Sequence, residues 1–271
     1  MKMFCTSLRR LDCTTPNVIP GITLVVHGKE EKEKYLAAGF KDVISSPVVP
    51  GLYGLIRQRR WIEQNLCEQG EWVIHVNDRL TGLTALDHEY CQYDQLPWDD
   101  YPQSVWRELF KKPCSKEHLL VHAHDLAEKA DALGVPVAGF ARNSNPFFRK
   151  SRWSYSTLIP GYFFIQRANY DDELYEDWDQ EDLWRNGIVA HKHGILLADR
   201  YVHPNYQWFI EDKGGFGPRK GRVRQIKKEM KAITKRFPGL ITPTPLLEYG
   251  NIEFKLTPRN RQQLWKWYQN Q

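Results

Sequence analysis

The first third of the chain alternates short β-branched apolar runs with charged, helix-favouring segments, and no other feature restricts its fold as much. Lys2–Cys5 reads as a strand running into the polar turn Thr6-Ser7-Leu8-Arg9-Arg10. Gly21–Val26 reads as a buried strand, Glu30–Ala38 as the helix after it, and Gly39 as that helix's C-terminal cap. Asp42–Ser45 and Trp72–Val76 are two further strand candidates. Between them Leu52–Leu66 carries Leu55, Ile56, Ile62 and Leu66 among arginines. Alternation of this kind predicts an α/β fold, a mixed but mostly parallel sheet with helices on both faces. Ligands of such sheets bind at the carboxyl ends of strands, here Thr6–Arg10 and Asn77–Arg79.

Later segments add to this pattern. Residues 84–114 are acidic and aromatic, contain Pro97 and Pro102, and lack clean periodicity, which predicts an insertion or a long active-site loop. Ser115 opens a helix that runs to Leu133 and stops at Gly134-Val135-Pro136. Val137–Phe140, Gly161–Gln166 and Ile195–Ala198 read as strands, and Tyr170–Trp184 is an acidic stretch. From Lys213 to Arg236 there are ten Lys or Arg and a single acid, Glu229. Val223, Ile226, Met230 and Ile233 recur there at helical spacing, so the segment predicts an amphipathic helix with one cationic face, ended by Phe237-Pro238-Gly239.

A length of 271 residues suits one large domain, or one domain with an insertion. Hydrophobic residues at 41% and charged residues at 26% exclude disorder throughout. The apolar runs Ile22–Val26 and Ile195–Ala198 fall far short of the ~20 residues that span a bilayer, and no apolar leader precedes Arg9 and Arg10. No membrane partner is expected. Five cysteines, Cys5, Cys13, Cys67, Cys91 and Cys114, are odd in number and never form CxxC. A disulfide framework or zinc site is therefore not expected, and a reducing cytoplasm is. The net charge of +5 is mild, so its distribution carries more meaning than its size.

Several residue groups could carry chemistry. Asp78, at the end of a strand, suits a hard cation, a ribose hydroxyl, or simply the capping of a turn. Arg57 and Arg60 share a helix face and Arg59 points elsewhere; such arginines suit a diphosphate or form a solvated basic face. In KGGFGPRKGR, Gly214, Gly215 and Gly217 would let backbone N–H groups approach phosphate, or make an ordinary turn. Asp179, Glu181 and Asp182 could supply a general base, or merely open a helix. His191 and His193 would share one side of a strand, and a surface or hydrogen-bonded histidine is the other reading for these and for His203. The loop RNSNPFFRKSRWSY and the helix Gly221–Arg236 combine cations and aromatics as nucleic-acid contacts do. In the other reading Phe147, Phe148, Trp153 and Tyr155 belong to the core.

The segments MKMFCTSLRR, ITLVVHGKEEKEKYLAAG, PGLYGLIRQRRWIEQNL, WVIHVNDRLTGL and YEDWDQEDLWRNGI occur in an order that resembles nucleotide-sugar glycosyltransferases of the GT-A fold. Among these the chain is most similar to the phage enzymes that glycosylate hydroxymethylated pyrimidines in DNA, the TET/JBP-associated glycosyltransferases. The resemblance spans roughly residues 1–83 and 137–220. It implies one GT-A-like domain over 1–271, with an insertion at 84–114 and a basic segment at 213–236. It implies a UDP-sugar donor, glucose or arabinose, and double-stranded DNA with a modified cytosine or uracil as acceptor. Donor-binding residues would be Thr6, Ser7, Arg9, Arg57, Arg59, Arg60, Asn77, Asp78, Arg79, Gly214 and Gly215. Asp182, then Glu181, would be the catalytic acids. DNA would meet Arg142, Asn143, Arg149, Lys150, Arg219, Lys220, Arg222 and Arg224. A divalent metal, Mg²⁺ or Mn²⁺, would use Asp78 and His203. Arg79 stands where the family's usual metal-binding Asp would be, which implies a fixed positive charge partly replacing that metal. The alternatives are a GT-A transferase with a protein or glycan acceptor, and a non-catalytic DNA-binding protein.

Overall fold

The computed structural model describes residues 1–48, 54–86, 102–141, 149, 151–178, 180–206, 219–238, 241–243 and 254–256. The chain begins with β1 (Lys2–Thr6), a short α1 (Thr15–Val18), β2 (Thr23–His27), α2 (Gly28–Ala37), β3 (Val43–Ser46), α3 (Gly54–Leu66) and β4 (Trp72–Asn77). These strands are parallel to one another, and the chain order β1, β2, β3, then β4 places β4 on the opposite side of β1 from β2. Strand order therefore reverses between β1 and β4. Such a switch point opens a crevice outside the strand ends. Val73, Ile74, His75 and Val76 of β4 are all buried, as expected for a parallel strand covered on both faces.

The middle of the chain supplies β5 (Leu80–Ala85), α4 (Gln103–Leu109), β6 (Lys112–Pro113), α5 (Lys116–Ala132), β7 (Val137–Phe140), β8 (Trp153–Ser154) and β9 (Phe163–Arg167). A 3-10 turn at Asp172–Tyr175 precedes α6 (Glu181–His193), β10 (Leu197–Asp199) and β11 (Val202–Tyr206). Then come α7 (Arg219–Arg236) and the paired β12 (Ile241–Pro243) and β13 (Phe254–Leu256). The main sheet has the order β3-β2-β1-β4-β9-β7-β10-β8. β9 runs antiparallel to both β4 and β7, β7 and β10 are parallel, and β8 is antiparallel to β10. The expected α/β architecture, mixed and mostly parallel, is what forms.

Alternation along β9 divides the core. Phe163 and Ile165 pack with Leu119, Ala123 and Leu126 of α5 on one face. Phe164 packs on the other with Ile56 of α3, Ile188 of α6, and Met230 and Ile233 of α7. Helices thus cover both faces. Ser115 caps α5 by accepting from the His118 N–H at 3.2 Å, and Gly39 leaves α2 with a left-handed φ of +95°.

Two expectations need correcting. Residues 84–114 are not all loop. β5 ends at Ala85, its residues pair with β6 at Thr84↔Pro113, and α4 lies before β6. β5 also pairs with β11, giving a second sheet in the order β11-β5-β6. Residues 87–101 lie outside the described residues. His191 and His193 stand in the last turn of α6, not on a strand. The helix is closed by Gly194 at φ +71°. Residues two apart on a helix diverge, so the two imidazoles do not share a side. No helix among the described residues is long and apolar enough to cross a membrane.

Candidate active site

The crevice between β1 and β4 is built on Asp78, which is 3% exposed. Ser7, just past β1, donates from Oγ to Asp78 Oδ2 at 2.8 Å and shares a 2.7 Å hydrogen bond with the Tyr35 hydroxyl. Arg10 Nη1 donates to Asp78 Oδ1 at 2.8 Å, and the Arg10 N–H donates to the Tyr35 hydroxyl at 2.8 Å. Between them Arg9 has a left-handed φ of +55°, a conformation unfavourable for a side chain with a Cβ. Its N–H is held by Glu31, whose other oxygen accepts from the His27 N–H at 3.1 Å. Burial on its own would lower the Arg10 pKa, but the charge and the hydrogen bond of Asp78, with smaller contributions from Tyr206 and Asp12, together raise it, so Arg10 is a cation.

The segment after β4 is tied down from α1. Thr15 Oγ1 donates to the Asn77 carbonyl at 2.6 Å and accepts from the Leu80 N–H at 3.1 Å. Arg79 is buried, with a guanidinium nitrogen 3.7 Å from Asp12. Tyr206, at the end of β11, pairs with Leu80, stacks on Tyr162 with ring centroids 4.7 Å apart, and hydrogen-bonds with Asn77. Burial raises the Tyr206 pKa, and the charge of Asp78 raises it further, so the phenol stays neutral.

A second group of charges reaches the same edge of the sheet through Arg59. From α3 its guanidinium donates to Asn77 Oδ1 at 2.7 Å, to the Gly161 carbonyl, and to Glu181, the first residue of α6. Glu181 also pairs with Arg185, and both guanidinium groups lie over the Phe164 ring, at 5.0 Å for Arg59 and 3.9 Å for Arg185. Asp182 is half-buried, accepts from the Leu183 N–H at 3.0 Å, and has its backbone carbonyl held by Asn186 at 2.6 Å. Gly161 makes this approach possible, because a Cβ there would lie 2.8 Å from Asp182 Cβ. Below the crevice, buried Glu63 pairs with His75 Nε2 at 2.8 Å and accepts from Gln166 at 3.1 Å and from the Tyr175 hydroxyl.

The remaining expected site residues divide into several groups. Arg57 and Arg60 turn to the acidic 3-10 region, pairing with Asp177 and, at 2.8 Å, with Asp172, and do not join Asp78. Thr6 is buried at the end of β1. His203 Nδ1 faces the Ala141 carbonyl at 3.0 Å, with its pKa lowered by burial, and pairs in register with Thr84, three positions along β11 from Tyr206. Arg149, expected on the DNA surface, is 1% exposed: it donates to the carbonyls of Arg200 and Tyr201 and lies 4.1 Å over Phe110. Burial lowers its pKa to about 9. Trp153 and Tyr155 belong to the core. Asp179, Arg142, Asn143, Lys150, Gly214 and Gly215 lie outside the described residues, as do the side chains of Arg219, Lys220 and Arg222 in α7.

The described part of α7 has an exposed cationic face, with Arg224, Lys227, Lys228, Lys231, Lys235 and Arg236 outward and Met230 and Ile233 inward. Its one acid, Glu229, is buried and accepts from the Gln180 N–H at 3.1 Å, just before α6. The cationic helix is therefore anchored one residue from Glu181 and two from Asp182.

Sequence reasoning gave no site role of their own to Arg10, Tyr35, Tyr206, Glu63 and Glu229, although Arg10 stood in the strand-end turn and Glu229 as the one acid of its segment. Two of the five carried a signal. Glu63 lies beside Ile62 in the apolar stripe of α3, where Arg59 also sits three residues from Ile56, and Glu229 lies in the stripe of α7. A charge on an apolar stripe is buried and needs a partner. Both oxygens of Asp78 have partners, His203 lies apart from it, and among the described residues no group of three or more His, Cys, Asp or Glu could hold a metal ion. The described side chains do not fit a divalent-ion site in this arrangement. No protein-family model matches the chain, and no curated protein matches it.

Proposed function

We propose that this chain is a GT-A-like glycosyltransferase that moves a sugar, glucose or arabinose, from a UDP-sugar to a 5-hydroxymethylated pyrimidine in duplex DNA. The observation that carries the reading is the crevice where strand order reverses, with Ser7 and Arg10 meeting at Asp78 outside β1 and β4 and Arg79 the next residue along. The bond from the sugar's anomeric carbon to the diphosphate oxygen breaks, and that oxygen keeps the electron pair. The acceptor hydroxymethyl oxygen forms the new bond, and its proton passes to Asp182. Arginine charge at the crevice offsets the charge on the departing diphosphate, and holding both substrates in place supplies the rest of the rate. Glu181 positions Arg59 and Arg185. On the acceptor side, the outward cations of α7 meet DNA phosphates without regard to sequence.

The test uses duplex DNA carrying hydroxymethylcytosine or hydroxymethyluracil, incubated with protein and a panel of UDP-sugars, then digested to nucleosides and weighed. A hexose or pentose gain on the modified base alone is expected. Asp78→Ala loses UDP binding, while Asp182→Asn keeps UDP binding and loses transfer. UDP-sugar binding without transfer to DNA would assign the chain a protein or glycan acceptor. DNA binding without any UDP-sugar binding would make it a non-catalytic DNA-binding protein.

A further inference from the structure

The resemblance implies a divalent ion between Asp78 and the donor diphosphate, and the crevice is arranged against one. A divalent ion of the Mg²⁺ class takes about six oxygen ligands at close to 2.1 Å and binds through carboxylates with free lone pairs. Asp78 Oδ1 is already paired with Arg10 Nη1 and Oδ2 with Ser7 Oγ, each at 2.8 Å. Two of the carboxylate's roughly four lone-pair sites are taken, and an ion on the others would lie against the Arg10 cation on a residue that is 3% exposed. The next position, which could have added a second carboxylate, is Arg79, whose buried guanidinium lies 3.7 Å from Asp12 and adds a fixed positive charge to this segment.

Arg10 is instead built to meet an anion. Asp78 occupies Nη1, which leaves the planar Nε–Nη2 edge, the edge whose two N–H groups match two phosphate oxygens. Its Nε is buried with no acceptor among the described residues, while the side chain as a whole is 21% exposed. An unsatisfied buried donor calls for a structural reason, and a ligand oxygen supplies one. The left-handed backbone at Arg9, fixed by Glu31, sets the direction in which Arg10 leaves the turn.

We infer that Arg10 and Arg79 take the place of a divalent ion and hold the donor's diphosphate directly, with Asp78 and Ser7 orienting Arg10. This rests on the reading of the crevice as a nucleotide-sugar site. It assigns Arg10 a role that the sequence pattern did not, and it makes the donor class a nucleoside diphosphate bound without metal.

Calorimetric titration of the full-length protein with UDP tests it, run once in EDTA and once in excess Mg²⁺ or Mn²⁺, with uridine as the phosphate-free control. The expected result is a UDP Kd that agrees within about twofold between the two buffers. Arg10→Gln and Arg79→Gln are each expected to weaken UDP by about tenfold or more in both buffers, with a much smaller effect on uridine. Because Arg10→Gln leaves Asp78 without its cation and could disturb the fold, the wild-type comparison and Arg79→Gln stand without it. UDP binding that appears only with Mg²⁺ or Mn²⁺ overturns the inference and leaves the donor site intact. Absence of UDP binding in both buffers overturns the donor-site reading itself.

Discussion

Arg59 leaves α3 and ends among Asn77, Gly161 and Glu181, with its guanidinium over Phe164. Truncating it strips donors from Asn77 Oδ1 and the Gly161 carbonyl and halves the countercharge on Glu181. Breaking a buried pair by removing one partner costs about 3–5 kcal/mol, so Arg59→Ala is expected to lower unfolding free energy by about that much in urea titration. A loss below about 1 kcal/mol would mean that Arg185 alone satisfies Glu181. Which arginine of the three turns inward follows from helix phase, since Ile56 and Ile62 face the core and Arg59 lies midway between them. That much is written in the residue order. The choice between Arg9 and Arg10 is not. It depends on a single left-handed φ that Glu31 stabilises from another element, and neighbouring residues carry no trace of it.

At the scale of elements, α7 joins the two halves of the proposed chemistry. Its outward lysines lie on the helix that Glu229 fastens to the start of α6. Each DNA phosphate left without its protein cation reduces the slope of log K against log salt by about 0.9. Lys228→Gln combined with Lys231→Gln is therefore expected to flatten that slope by up to about 2 for duplex DNA, measured by fluorescence anisotropy across a salt series. An unchanged slope would place the DNA on another surface. The helical period of this segment was legible because Met230 and Ile233 do the packing that the period implies. The β11-β5-β6 sheet was not legible. A two-residue strand ending in proline has no period to read, and its pairing with β5 is set by contacts far along the chain.

For the whole molecule, several histidines share a direction. Burial lowers the pKa of His75 against the pull of Glu63, and burial lowers that of His203 against its bond to the Ala141 carbonyl. The unfolded chain has histidines near pKa 6.5 and so binds more protons than the folded one just below that pH. Stability then rises with pH through this window and is lost as pH falls below about 6.5. Asp199 adds to the loss at lower pH. Burial would raise its carboxyl, but His122 and Arg152 hold it below the usual range, so its contribution disappears as pH drops from about 4 through its folded pKa. Urea midpoints at pH 7.5 and 5.5 are expected to differ, with the lower value at 5.5. Equal midpoints would mean that these histidines are solvated. The parallel half of the sheet was readable because β2 and β3 are each followed by a helix that packs on these strands. That β9 runs antiparallel between β4 and β7 depends on pairing across about ninety residues of chain, and local sequence does not encode it.

That antiparallel strand also sets an order on synthesis. By the time β7 has left the ribosome, β1 to β4 are complete, yet the open side of β4 is reserved for β9, made more than twenty residues later. Until then the nascent chain carries a bare β4 edge, the kind of edge that recruits other chains. A fragment ending at Phe140 is expected to self-associate in light scattering, and one extended through Arg167 to scatter far less. The strand that joins the two halves of the sheet is thus also the one that, during translation, ends the period in which the protein is open to its own copies.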